Sequence, residues 1–218
     1  MTLICGIDEA GRGPIIGPMV MCGISIEEEE VPKLKKIKVK DSKLLTHKKR
    51  IELYEKINEI VKDFKIFIIY PEEIDSSVDS QISNLNKLEM IKTAQIINYL
   101  KPDKAIIDCP SPNIKKYTEE IKVYLKEKPE LIIEHKADVN HPECSAASII
   151  AKVIREEEVE KIKKQYNIDF GSGYMSDPKT QKFLEENFHK EELHKIFRKS
   201  WLPFKNHVNK QKNLSEFS

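Results

Sequence analysis

The sequence predicts an α/β fold, a mixed β-sheet flanked by helices with a small helical C-terminal part. Three observations carry that expectation. The chain opens with short apolar runs at residues 3–8 and 19–26, separated by a glycine- and proline-rich turn, which read as strands with a short connection. From Thr46 onward the apolar period lengthens to that of helices, and helical stretches alternate with short apolar runs, a pattern that adds parallel strands to a sheet. The 218 residues, 39% hydrophobic and 33% charged, suffice for one large domain with a sizeable core.

Taken in order, residues 3–8 form the first expected strand, which runs into two adjacent carboxylates, Asp8 and Glu9. Gly11 and Gly13 bracket Arg12 in the turn that follows, and Pro14 closes it. Residues 19–26 form the second strand, and the acidic run 27–30 marks a surface turn. A third strand is expected over 34–39, where lysines alternate with Leu34, Ile37 and Val39. Thr46 is the expected N-cap of a helix that carries Ile51, Leu53, Tyr54, Ile57, Ile60 and Val61 at helical spacing. Residues 65–70 read as a strand ended by Pro71, 83–100 as a helix stopped by Pro102, and 104–108 as a strand ending in Asp108. A helix over 114–125 and a strand over 131–134 follow. Pro142 suits the first turn of a helix that continues to 166, and its start, Ser145-Ala146-Ala147-Ser148, is small enough to pack closely on a sheet. After a glycine-containing loop at 169–177, residues 180–188 and 191–199 are expected as helices. The polar chain beyond Pro203 is expected to be mobile.

Composition excludes several classes. No apolar run approaches the roughly 18–20 residues of a membrane span, and residues 1–7 lack the basic start of a secretory signal. The expected setting is cytoplasmic, with no membrane partner. Cys5, Cys22, Cys109 and Cys144 are far apart and form no C-x-x-C pair, so they read as inert thiols rather than zinc ligands or a disulfide framework. His189 and His194 are five residues apart and fall on different helix faces. Net charge is +1, yet residues 33–50 hold nine Lys or Arg against one acid, Asp41, and residues 190–218 hold seven against three. Such segments suit a polyanion, although solvated lysines also explain them.

Chemistry gathers at strand ends. Asp8 follows one strand, Asp108 ends another, and Asp138 stands just before the long helix. An aspartate after a strand is usually a turn residue or cap. Several arriving together at one sheet edge, where ligands collect, form an oxygen-only set that suits Mg²⁺ or Mn²⁺ and not zinc or copper. Asp8 and Glu9 point to opposite faces of an extended strand, so they share one ion only if the strand breaks at Glu9, which Ala10-Gly11 would permit. A dinucleotide fingerprint needs G-x-G-x-x-G opening a helix. Gly11, Gly13 and Gly17 give G-x-G-x-x-x-G leading toward another strand, and that reading fails. The loop instead lets backbone approach a ligand closely, with Arg12 available to phosphate.

These residues resemble a known family. Gly6-Ile7-Asp8-Glu9-Ala10-Gly11-Arg12-Gly13-Pro14, Asp41-Ser42-Lys43, the Asp108 strand end, Lys136-Ala137-Asp138 followed by Ser145-Ala146-Ala147-Ser148-Ile149-Ile150-Ala151-Lys152, and Gly171-Ser172-Gly173-Tyr174 are similar to ribonuclease HII in its archaeal form. Arg198-Lys199-Ser200-Trp201 is similar as well. The resemblance implies a ribonuclease H-like catalytic domain over 1–178 and a helical appendage with a polar tail over 179–218. It implies cleavage of RNA in RNA–DNA hybrids and incision 5′ of single ribonucleotides in duplex DNA, assisted by Mg²⁺ or Mn²⁺. By the same resemblance Asp8, Glu9, Asp108 and Asp138 are the metal-binding acids, Gly11, Arg12 and Gly13 sense the ribose 2′-hydroxyl, and Tyr174 stacks on a sugar. Lys43 and Arg12 are the expected phosphate contacts. The chain departs from the family at Met175, where proline is common, and over 139–144.

The expected partner is therefore an RNA–DNA hybrid or ribonucleotide-containing duplex, bound by a monomer. A replication clamp is a possible partner without support in the sequence, because Leu214 and Phe217 alone make no motif. Two rival functions fit the residues less well. A DNA nuclease of the same broad fold would gain nothing from a 2′-hydroxyl sensor. A non-catalytic nucleic-acid module would bind a polyanion better without clustered acids.

Overall fold

The computed structural model describes residues 1–39 and 45–215, the last five as backbone only. Asp41, Ser42 and Lys43 lie outside the described residues, and so does the expected phosphate contact at Lys43. In chain order the elements are β1 (Leu3–Ala10), β2 (Met19–Glu27), α1 (Val31–Lys36), α2 (His47–Ile60), β3 (Asp63–Ile69), α3 (Pro71–Val78), α4 (Leu85–Leu100), β4 (Lys104–Asp108), α5 (Ile114–Ile121), β5 (Glu130–Glu134), α6 (Ala137–Asn140), α7 (Pro142–Tyr166), α8 (Pro178–Asn187) and α9 (Leu202–Ser215). The chain forms two compact units. One holds residues 1–10, 20–68 and 86–155, and the other holds 11–19, 69–85 and the chain from 156.

The first unit is built on a five-stranded sheet in the order β3-β2-β1-β4-β5. β1 pairs antiparallel with β2, as the short connection between them requires, and parallel with β4, which in turn pairs parallel with β5. The expected mixed sheet is present. Ile4 and Ala10 of β1 share a core with Ala146, Ala147, Ile149 and Ile150 of α7. On the other face Ile7 lies beside Gly23, where an added Cβ would meet Ile96 and Leu100 of α4. Helices therefore cover both faces of β1. Gly6 explains how closely α7 approaches: a Cβ there would fall well inside contact distance of the Glu143 and Cys144 backbone.

Thr46 caps α2 as expected, its hydroxyl accepting from the Lys49 amide at 3.3 Å. The strand expected over 34–39 is instead the end of α1. Pro32 stands in its first turn, Leu34 is its one buried side chain, and Lys38 at φ +59° ends the helical run. Lysines alternating around one buried leucine fit a short surface helix as well as a strand.

The second unit has its own core, in which Ile15, Ile16, Phe170, Leu184, Phe197 and Phe204 are buried. Three expectations change here. Pro71, read as a strand terminator, also opens α3. The helix expected over 191–199 is only a 3₁₀ turn at Glu191–Leu193, followed by chain that bridges Phe197 to Ile16. The chain beyond Pro203, expected to be mobile, is helix α9, anchored by buried Phe204 with Val208 packed against the same core.

Candidate active site

The parallel register of β1 and β4 ends at Ile7 opposite Ile107, so Asp8 and Asp108 each stand one residue past the last pair. The Asp108 carboxylate accepts the Lys136 amide at 2.9 Å, and the Ala137 and Asp138 amides also donate to it. It thus fixes the start of α6, where Lys136 takes a left-handed φ of +62°, and draws Asp138 in. Asp8, Asp108 and Asp138 each offer an oxygen, and these atoms lie within 4.8 Å of one another.

Burial pushes the Asp8 pKa up to about 7, with Asp108 and Asp138 adding repulsion and hydrogen bonds from Ser148 and the Glu9 backbone opposing it. Asp108 is raised for the same first reason, burial, and then by Asp138. Like charges held this close and out of water are unfavourable without a compensating cation. Oxygen-only donors of this kind fit Mg²⁺ or Mn²⁺.

Glu9 stands apart from this group among the described residues. β1 does not break there: Glu9 pairs with Met21 and Ala10 with Val20. Strand alternation therefore sends the Glu9 side chain to the face opposite Asp8. Burial raises the pKa values of Cys109 and Tyr117 first, and Glu9 is among the charges that raise both further, behind Asp108 at Cys109 and behind Cys109 and Glu89 at Tyr117. All four cysteines are buried free thiols, as their spacing suggested.

Gly11, Arg12, Gly13 and Tyr174 belong to the second unit. Gly11 adopts φ +78°, and Gly13 is open on the side of Tyr174, whose Cε1 lies 3.9 Å from the place a Cβ would take. The two loops are joined by the Ile15 amide, which donates to Gly173 O at 2.8 Å. Asp177 accepts from the Ser172 amide at 2.7 Å, and Thr180 Oγ1 from the Gly173 amide at 3.0 Å, so the tyrosine loop is pinned to the first turn of α8. Tyr174 itself is 37% exposed.

The family model for ribonuclease HII matches residues 5–203. The chain belongs to the ribonuclease HII family. A ribonuclease HII of Pyrococcus furiosus is 47% identical over 201 residues, covering 91% of this chain and 88% of that protein. The crystal structure of the ribonuclease H2 from Pyrococcus horikoshii superposes with a TM-score of 0.87 at 38% identity, over 96% of this chain and 99% of that one. Ribonuclease HII from Archaeoglobus fulgidus, solved as a complex with PCNA, gives 0.83 at 37% identity, over 91% and 95%.

As a ribonuclease HII, the chain is a metal-dependent endoribonuclease of the ribonuclease H type, acting on RNA–DNA hybrids. No helix among its described residues is long and apolar enough to cross a membrane. Two residues that reach Asp8 in relay stand in the sequence only as part of a motif. Ser148 donates to Asp8, and Lys152, one turn later on α7, donates to Ser148 Oγ at 2.8 Å. The signal for them was present: polar residues spaced i and i+4 in an otherwise apolar stretch.

Proposed function

We propose that this protein, besides cutting the RNA strand of hybrids, incises duplex DNA on the 5′ side of a single embedded ribonucleotide. Asp8, Asp108 and Asp138 would hold the divalent ions. Such ions, when bound, activate water and stabilise the leaving oxygen of an in-line phosphodiester displacement. Asp108 orients Asp138 through the start of α6, and Ser148 with Lys152 orients Asp8. Water adds to phosphorus, the bond to the 3′-oxygen breaks, and that oxygen takes a proton. The products are a DNA strand with a 3′-hydroxyl and a strand that begins with a 5′-phosphorylated ribonucleotide. Glu9, assigned to the ions by family resemblance, would reach the same site only if the end of β1 opens.

The observation that carries this reading is the pairing of Gly13 with the Tyr174 ring inside one unit. An open glycine beside an exposed aromatic ring suits a sugar whose 2′-hydroxyl is the one group separating RNA from DNA. Only Glu9 and Ala10 separate Asp8 from Gly11 in sequence. Arg12 is the proposed phosphate contact, and we also assign one to Lys43. A sliding clamp enters as a partner because the Archaeoglobus fulgidus relative is solved with PCNA.

The test is cleavage of two matched duplexes, one all-DNA and one with a single ribonucleotide, with Mg²⁺ present and the ends mapped. Incision confined to the 5′ side of the ribonucleotide is expected. Equal cutting of the all-DNA duplex would instead favour a DNA nuclease.

A further inference from the structure

The loop that faces Tyr174 is tied to a residue with no part in the mechanism above. Arg198 is 0% exposed. A guanidinium stays charged at any working pH, so it is tolerated in a core only where acceptors satisfy its donors. Those acceptors are main-chain carbonyls. Nη2 donates to Gly11 O at 2.6 Å, Nη1 to Arg12 O at 2.7 Å and Nε to Gly17 O at 3.1 Å. Trp201 lies against the guanidinium at 5.1 Å. The Arg198 amide donates to Ile15 O at 2.9 Å, stitching the same segment to the loop through the backbone.

The orientation of these carbonyls has a necessary counterpart. In a trans peptide the C=O and the following N–H point in opposite directions, and no described peptide is cis. With the Gly11 and Arg12 carbonyls turned toward the guanidinium, the Arg12 and Gly13 amides turn away from it. Consecutive amides facing one way form a concave donor pair suited to an oxygen ligand. Gly11 makes the bend at a left-handed φ that only glycine adopts without strain.

We propose that Arg198 is a positioning residue for sugar recognition: by holding the Gly11 and Arg12 carbonyls inward it aims the Arg12 and Gly13 amides outward, as a paired donor for a ribose 2′-hydroxyl. The inference rests on the ribonucleotide-selective reading given above. Lysine cannot replace this residue, because one ammonium nitrogen does not span three carbonyls in a fixed fork. Asp75 supports the arrangement from behind. Its carboxylate accepts the Lys199 amide at 2.9 Å, the Ser200 amide at 2.9 Å and the Ser200 hydroxyl at 2.6 Å, fixing the residues that follow Arg198.

The test uses the full chain with Mg²⁺. It measures kcat/KM on a duplex with one ribonucleotide and the inhibition constant of the matched all-DNA duplex as competitor, for wild type and Arg198→Lys. The expected result is a kcat/KM lowered roughly tenfold, equivalent to about 1.4 kcal/mol, with the all-DNA inhibition constant within about twofold of wild type. A brace that only stabilises the fold would weaken both duplexes together, and that outcome overturns the proposal, as does an unchanged kcat/KM. A wild-type protein that cuts all-DNA equally well brings down the ribonucleotide-selective reading, and this inference with it. Should thermal melting show that Arg198→Lys does not fold, Asp75→Asn takes its place. A selective loss on the ribonucleotide duplex then supports the proposal, and unchanged selectivity overturns it.

Discussion

Asp8 is held nearly out of water beside two further carboxylates, and that position links its proton to folding. Its pKa, pushed up to about 7 by burial first, exceeds the roughly 3.9 of an unfolded chain. The resulting stability is complete below the unfolded value and is lost as pH rises through about 7. In chelator, the thermal midpoint of the wild-type protein should fall between pH 5 and 8. Asp8→Asn should fall less and melt higher at pH 8, and a steeper fall in the variant would contradict this account. The same variant should weaken Mn²⁺ binding by more than the roughly 10–100-fold that outer partners of a metal command, and Glu9→Gln by less. Calorimetric titration gives both numbers, and equal losses would place Glu9 at the ion. At this scale the acids at strand ends were legible, because an aspartate closing an apolar run announces itself. Whether β1 breaks at Glu9 was not. Ala10-Gly11 permits a break, and only the pairing of Glu9 with Met21 and Ala10 with Val20 shows that the strand continues.

β1 and α7 set the site as elements. The strand carries Asp8, the helix carries Ser148, and Gly6 lets them approach. Gly6→Ala would drive a methyl into the Glu143 backbone, and overpacking of that kind costs about 1–3 kcal/mol. Gly23→Ala, on the other face, would press on the buried Ile96 side chain rather than on backbone. Urea unfolding should therefore show the larger loss for Gly6→Ala. Since α7 must move, that variant should also bind Mn²⁺ more weakly while Gly23→Ala does not. Equal destabilisation by the two would contradict a backbone clash. Long periodic helices and apolar strands were readable from the sequence, β4 and α7 to the residue. The short elements were not. α1 offers one buried leucine and α9, among its described side chains, one buried phenylalanine, too few points to define a period, and both depend on a core assembled from distant segments.

Across the whole molecule the charges nearly cancel, yet the basic residues cluster. Lys33, Lys35, Lys36, Lys48, Lys49 and Arg50 fall in α1 and α2. Contact with a duplex should release counterions, with a log–log slope of affinity against salt of about −3 or steeper. A slope near zero would remove these helices from the binding surface. The sequence suggested a linear division, with a C-terminal appendage after 178. The compact units instead interleave, because residues 11–19 and 69–85 join the chain from 156. Nothing local announces such a return, and Arg198 shows the reason: its acceptors lie 181 to 187 positions earlier. That separation has a consequence in time. At about 5–20 residues per second of synthesis, the glycine loop leaves the ribosome roughly ten to forty seconds before the arginine that orders it. A nascent chain thus carries every carboxylate of the cluster before Arg198 can reach the carbonyls of the glycine loop, so the brace proposed for sugar recognition is set later than the acids.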